Sequence, residues 1–121
     1  MKGNLLKIKS YAFSLRTVKC YEYLKENKHE YILSKQMVRS GTSIGANIRE
    51  SEHAESKQDF IHKLSISLKE ANETAYWLEL LNDAGFLEEE HFKSIYIDCE
   101  ELLKLLTSII KSTKANISII N

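Results

Sequence analysis

No proline occurs anywhere in the 121 residues, and nothing else in the sequence restricts the fold so strongly. Proline removes a backbone donor and clashes with the preceding turn, so a chain without it can run long helices unbroken. The apolar residues keep the helical rhythm. Phe13, Thr17, Cys20 and Leu24 recur at intervals of three or four, as do Phe60, Leu64, Leu68, Ala71, Ala75 and Leu78, and then Phe92, Ile95, Cys99, Leu102, Leu106 and Ile109. Ser10 and Ser56 suit N-caps, "NKHE" and "NDAGF" suit turns, and Glu88, Glu89 and Glu90 stand where a helix dipole favours negative charge. The pattern predicts helices over about 10–27, 31–54, 56–84 and 88–114 in one domain spanning 1–121. Long helices with short connections must alternate in direction, so the expected fold is all-α, an antiparallel up-down-up-down four-helix bundle.

Composition narrows the function classes. An apolar share of 43% and a charged share of 28% belong to a globular chain, neither disordered nor membrane-spanning. The opening "MKGNLLKIKSYAF" has no long apolar run leading to a small-residue cleavage site, which points to the cytoplasm. Cys20 and Cys99 each fall in an apolar stripe and read as buried free thiols. The net charge of zero hides a division. Residues 1–49 hold ten Lys and Arg against three acids, a balance of +7, and residues 50–121 hold seven Lys against fourteen acids, a balance of −7. Such asymmetry suits a polyanion-facing surface or a self-complementary assembly.

The segment "SKQMVRSGTSIGANIRES", residues 34–51, breaks the local rules, because each internal glycine weakens a helix by about 1 kcal/mol relative to alanine. On a helical projection Leu33, Met37, Ile44 and Ile48 form the core face, with Gly41 and Gly45 at its edge, a smooth notch where a neighbouring helix can approach. Gln36, Ser40, Ser43, Asn47 and Glu50 form a polar seam on the other flank. That seam is open to two readings, a hydrogen-bond network between helices or subunits and a recognition strip for a partner. Lys35, Arg39 and Arg49 occupy an outward sector about 80° wide, from which cations can reach successive phosphates.

Catalytic chemistry finds little support. Glu50 with His53, and Glu88 with His91, have the Glu-x-x-His spacing of di-iron bundles, but that site also needs a lone inward Glu on each of the other two helices. No Ser-His-Asp set and no phosphate-cradling glycine loop can be assembled. The expectation is a non-enzyme with no metal and no cofactor. Ile66, Trp77, Leu80, Ile97, Leu105 and the "ISII" at 117–120 lie off the main stripes, which predicts a homo-oligomer with its interface on the third and fourth helices.

"EYILSKQMVRSGTSIGANIRES" followed by "QDFIHKLSISLKEANETAYWLELL" resembles the family of four-helix-bundle proteins encoded in intervening sequences of bacterial 23S ribosomal RNA genes. The resemblance runs from about Tyr11 to Leu106 and is carried by Gln36, Arg39, Ser40, Ser43, Ile44, Asn47, Ile48 and Glu50. It implies a homopentameric bundle without catalytic activity, and a further similarity, to a retroelement accessory bundle protein, implies contact with RNA or DNA. On that footing Lys35, Arg39 and Arg49, helped by Arg16 and Lys19 on the first helix, are the expected phosphate contacts. With few aromatics on that face, structured RNA or a duplex backbone is the expected ligand. The alternative is an assembly scaffold or accessory subunit that docks a protein partner on the polar seam.

Overall fold

The computed structural model describes residues 2–120, with side chains described for 3–117. Four helices follow in order, α1 (Lys2–Lys28), α2 (Leu33–Ser51), α3 (Lys57–Asp83) and α4 (Glu89–Ile120). They occupy the corners of a square in chain order. The backbone of α1 runs beside α2 and α4 and that of α3 beside α2 and α4, while among the described residues no Cα atoms of the diagonal pairs come within 8 Å. This is the expected four-helix bundle.

Helix ends differ from the expected ones for identifiable reasons. α1 begins eight residues earlier than predicted, because Leu6 is buried and extends the Phe13, Cys20 and Leu24 stripe by two turns. α2 is shorter at both ends. Its start is fixed by Glu30, whose carboxylate accepts N–H bonds from Ile32 at 3.1 Å, Leu33 at 2.9 Å and Ser34 at 2.7 Å. At its other end the chain turns through Glu52 to Ala54 on short backbone bonds to Arg49, Glu50 and Ser51. Ser56 caps α3 as expected, accepting from the Asp59 N–H at 3.0 Å, while Asp59 reaches back to the N–H of Glu55. α3 ends at a left-handed Gly85 (φ 86°), where Phe86 N–H bonds to Leu81 O and Gly85 N–H to Asn82 O. Those two bonds satisfy carbonyls the last turn leaves free, and glycine adopts that φ without steric cost.

The core is one cluster, with Phe13, Leu24, Met37, Ile44, Leu64, Leu78, Leu81, Ile95, Leu102 and Leu106 at its centre. Each such side chain contributes roughly 1.5–3 kcal/mol by leaving water. The glycine notch is filled as the sequence suggests, and the helix that fills it is α1. A Cβ on Gly41 would lie 2.5 Å from Thr17 Cγ2, and one on Gly45 would lie 3.2 Å from Ser14 Oγ. Close approach between α1 and α2 therefore offsets the poor helix propensity of both glycines.

Surplus apolar surface sits elsewhere than expected. Ile66, Trp77, Leu80, Leu105 and Ile117 are half-buried, and the side chains of Ser118 to Ile120 lie outside the described residues. Ile97 remains exposed on α4. The continuous exposed line is on α1. Leu5, Ile8 and Leu15 are 42%, 66% and 52% exposed, on a flank of the helix turned away from Leu6, Phe13 and Cys20. α1 thus carries two separate apolar lines, which a single amphipathic stripe does not describe.

Candidate nucleic-acid interface

The five expected phosphate contacts are distributed over three sides of the bundle. Arg39 leans toward α3, bonded to Glu73 at 3.1 Å and Glu70 at 3.3 Å. Burial, then the neighbouring Glu73, pushes the Glu70 carboxyl above its ordinary pKa, and Arg39 works against that rise. Arg16 leans toward α4, bonded to Asp98 at 2.7 Å and to both the carbonyl and the hydroxyl of Ser94 at 3.1 Å. Lys19 lines a shallow α1–α4 depression with Leu15, Cys20, Tyr23 and His91. Lys35 and Arg49 stay exposed and outside any ion pair among the described residues. The sector read from α2 alone is therefore divided, because an arginine at its edge reaches the acidic neighbour beside it.

Much of the charge asymmetry acts within the molecule. Among the described residues each ion pair between different segments joins a cation from residues 1–49 to an acid from 50–121, namely Lys7–Glu52, Lys9–Glu101, Arg16–Asp98, Arg39–Glu70 and Arg39–Glu73. The basic pair α1 and α2 is strapped to the acidic half.

The polar seam also divides. Ser40 is fully buried; it accepts from Thr74 Oγ1 at 2.8 Å and donates to Met37 O, so it lies inside the contact between α2 and α3. Ser67 Oγ donates to Ile44 O at 2.8 Å one step along the same α2–α3 contact. Gln36, Ser43 and Asn47 are half-buried and bond within α2 or to Arg39, and Glu50 is exposed. At Ser40, the inter-helix reading holds.

The structure assembles a different surface along the α1–α2 seam. On α1 the positions Lys7, Tyr11, Ser14, Val18, Tyr21, Lys25 and Lys28 step by four and three, and on α2 Lys35, Val38, Thr42, Gly45 and Arg49 do the same. Such steps keep side chains in one line along a helix. The two lines meet in a groove of about 380 Å³ floored by Ser10, Ser14, Thr42, Gly45 and Ala46 and edged by Lys7, Tyr11, Arg49 and Glu50. Five cations stand in these lines and no carboxylate does. From Lys7 to Lys28 the face is roughly 30 Å long.

The α1–α2 turn closes its upper end. His29 takes a left-handed φ of 54°, and Glu30 N–H bonds back to Leu24 O at 3.0 Å. Burial disfavours the Glu30 charge, but its three backbone N–H bonds and the Ser34 hydroxyl outweigh that and hold the carboxyl below its ordinary pKa. Tethered in this way, the turn presents Tyr31 outward, 56% exposed, with its hydroxyl 3.3 Å from His29 Nδ1.

Other chemistry is quiet. Burial pushes the Cys20 thiol up to about 11 and the Cys99 thiol to about 12, so neither is a thiolate near neutral pH; both are free, as the sequence suggests. Among the described residues no three of His, Cys, Asp and Glu come together as a metal site, and no helix is long and apolar enough to cross a membrane.

Comparison with known proteins gives the lineage. Among curated proteins none matches the chain. A crystal structure of a protein of unknown function from the S23 ribosomal protein family of Bacteroides thetaiotaomicron is similar, with 55% identity, a TM-score of 0.90, and coverage of 92% of this chain and 99% of that one. The family model described as 23S rRNA-intervening sequence protein matches residues 5–108. On that match, spanning all four helices, the chain belongs to the 23S rRNA-intervening sequence protein family.

Proposed function

We propose that this protein is a non-enzymatic, self-associating bundle of the cytoplasm that holds nucleic acid by its phosphates on the α1–α2 face. One observation carries the reading: Lys7, Lys25, Lys28, Lys35 and Arg49 stand along one face with no carboxylate in their two lines, and only Lys7 among them is in an ion pair. Lysine and arginine so arrayed neutralise a polyanion by displacing its counterions, whatever its sequence. The name of the family supports the choice of RNA as the first ligand to try.

Self-association rests on the outer line of α1. Leu5, Ile8 and Leu15, with the exposed Ala12 between them, are spaced as one side of a helix–helix contact. A second copy covers this line in the proposed assembly, and the homopentamer implied by the family resemblance is the expected state. Light scattering should give a mass several times that of one chain for the wild type, and Leu15→Asp should reduce it to the monomer. A monomeric wild type would remove this part of the proposal.

For the ligand, labelled structured RNA should bind in low salt with an affinity that falls steeply as salt rises. Replacing Lys35 and Arg49 together by alanine should flatten the salt slope by between about one and two. Absence of any association at low salt sinks the reading. A protein partner on the α2–α3 seam is the second reading, favoured by the half-buried Gln36, Ser43 and Asn47. It calls instead for binding that survives high salt and is lost on Asn47→Leu.

A further inference from the structure

From the aromatic content of the α1–α2 face we infer that its ligand is single-stranded nucleic acid, whose bases stack on Tyr11 and Tyr31 while Lys25, Lys28 and Lys35 hold the phosphates. The inference rests on the nucleic-acid reading above and goes beyond it by choosing the strand state. Seen from α2 alone, the face has no aromatic platform. The tertiary structure adds Tyr11 and Tyr21 from α1 and Tyr31 from the turn.

Three features distinguish this surface from a plain basic patch. Tyr11 is 58% exposed at the edge of the groove and Tyr31 is 56% exposed in the turn that joins α1 to α2, so each offers an open ring. Lys25 Nζ lies 4.6 Å from the centre of the Tyr21 ring, so positive charge and aromatic surface already adjoin on the line. Tyr31 is also held in advance of binding, because its turn is fixed by three N–H bonds to Glu30 and by Ser34 Oγ to Glu30 O at 2.8 Å. A turn whose backbone is already fixed does not have to be ordered when a ligand lands on it.

A paired duplex cannot use such rings, since its bases are already stacked on one another and only its phosphates face the protein. An unpaired strand offers each base face. The length of the face, roughly 30 Å, accommodates on the order of nine nucleotides at the stacked spacing of about 3.4 Å.

The test is fluorescence anisotropy at low salt with oligouridylate and oligothymidylate of about a dozen nucleotides, against a duplex of equal length. Wild type, Tyr11→Ala, Tyr31→Ala and the corresponding Tyr→Phe variants are compared, with circular dichroism to establish that each is folded. At least one single strand should bind more tightly than the duplex. Each alanine variant should weaken that binding about fivefold or more with duplex binding unchanged, and each phenylalanine variant should restore it. Equal binding of strand and duplex, or alanine variants that leave the single strand untouched or weaken both ligands alike, overturns the inference while leaving phosphate binding in place. Failure of both ligands to bind wild type overturns the nucleic-acid reading together with it.

Discussion

The inner contacts of α2 are made by small side chains and buried hydroxyls, with the Arg39 ion pairs only at their rim, whereas the polar bonds between α1 and α4 are exposed ion pairs beside the Tyr23–His91 ring contact. Around α2, Gly41 admits Thr17 of α1, Ser67 and Thr74 of α3 bond to Ile44 O and Ser40, and the atoms involved are sealed from water. Between α1 and α4, Lys9 reaches Glu101 at 2.8 Å and Arg16 reaches Asp98 at 2.7 Å, all four side chains about a third to a half exposed. Beside them lies an open depression of about 360 Å³. The contrast is one of tolerance. A contact without spare volume accepts one register, because a single added methyl has nowhere to go. A contact made of long, hydrated ions accepts several, and salt weakens it.

The sharpest way to break the comparison is to add volume where α2 has none. Gly41→Leu should lose about 3 kcal/mol of stability in urea unfolding, the overpacking against Thr17 exceeding the gain in helix propensity. If the variant is as stable as wild type, the notch is not a fixed contact.

Glu30→Ala should cost about 2 kcal/mol at neutral pH, since it frees three donors at the start of α2. Its pH dependence has a definite sign. The carboxyl is depressed in the folded protein, so its contribution is present above the unfolded-state value near 4.5 and disappears as pH falls through the lower folded value. Wild type and variant should therefore converge in acid, and a difference that persists there would assign the loss to packing.

The smallest effect belongs to the α1–α4 contact. Arg16→Ala should cost less than about 1 kcal/mol at low ionic strength, and the difference should shrink in high salt, because the pair is half-exposed and screened. A larger or salt-independent cost would make this contact resemble the α2 contacts after all.

Much of this was legible in the chain. The Ser56 cap, the Gly85 stop, the glycine notch and the free thiols follow from residue type and spacing, because they depend on backbone chemistry within a few residues or on one helical period. Less of the candidate site was legible. Lys35 and Arg49 sit on the α1–α2 face, but Arg39 is held by Glu70 and Glu73, thirty-one and thirty-four residues later, and Arg16 by Asp98, eighty-two residues later. The signal for the aromatic line was present at Tyr11, Tyr21 and Tyr31, yet it has meaning only once α1 lies beside α2.

By itself the sequence determined that there would be four helices, where the first and third of them stop, and which residues each turns inward, since burial of an apolar stripe is a property of one helix and its period. Only the tertiary structure decided which cations remain available to a ligand, that a second apolar line on α1 is left uncovered, and that Tyr11 and Tyr21 of α1 lie alongside Lys35 and Arg49 of α2. The physical reason is range. Helix periodicity acts over single turns, whereas the fate of a long charged or aromatic side chain depends on what an adjacent helix places within a few ångströms of it.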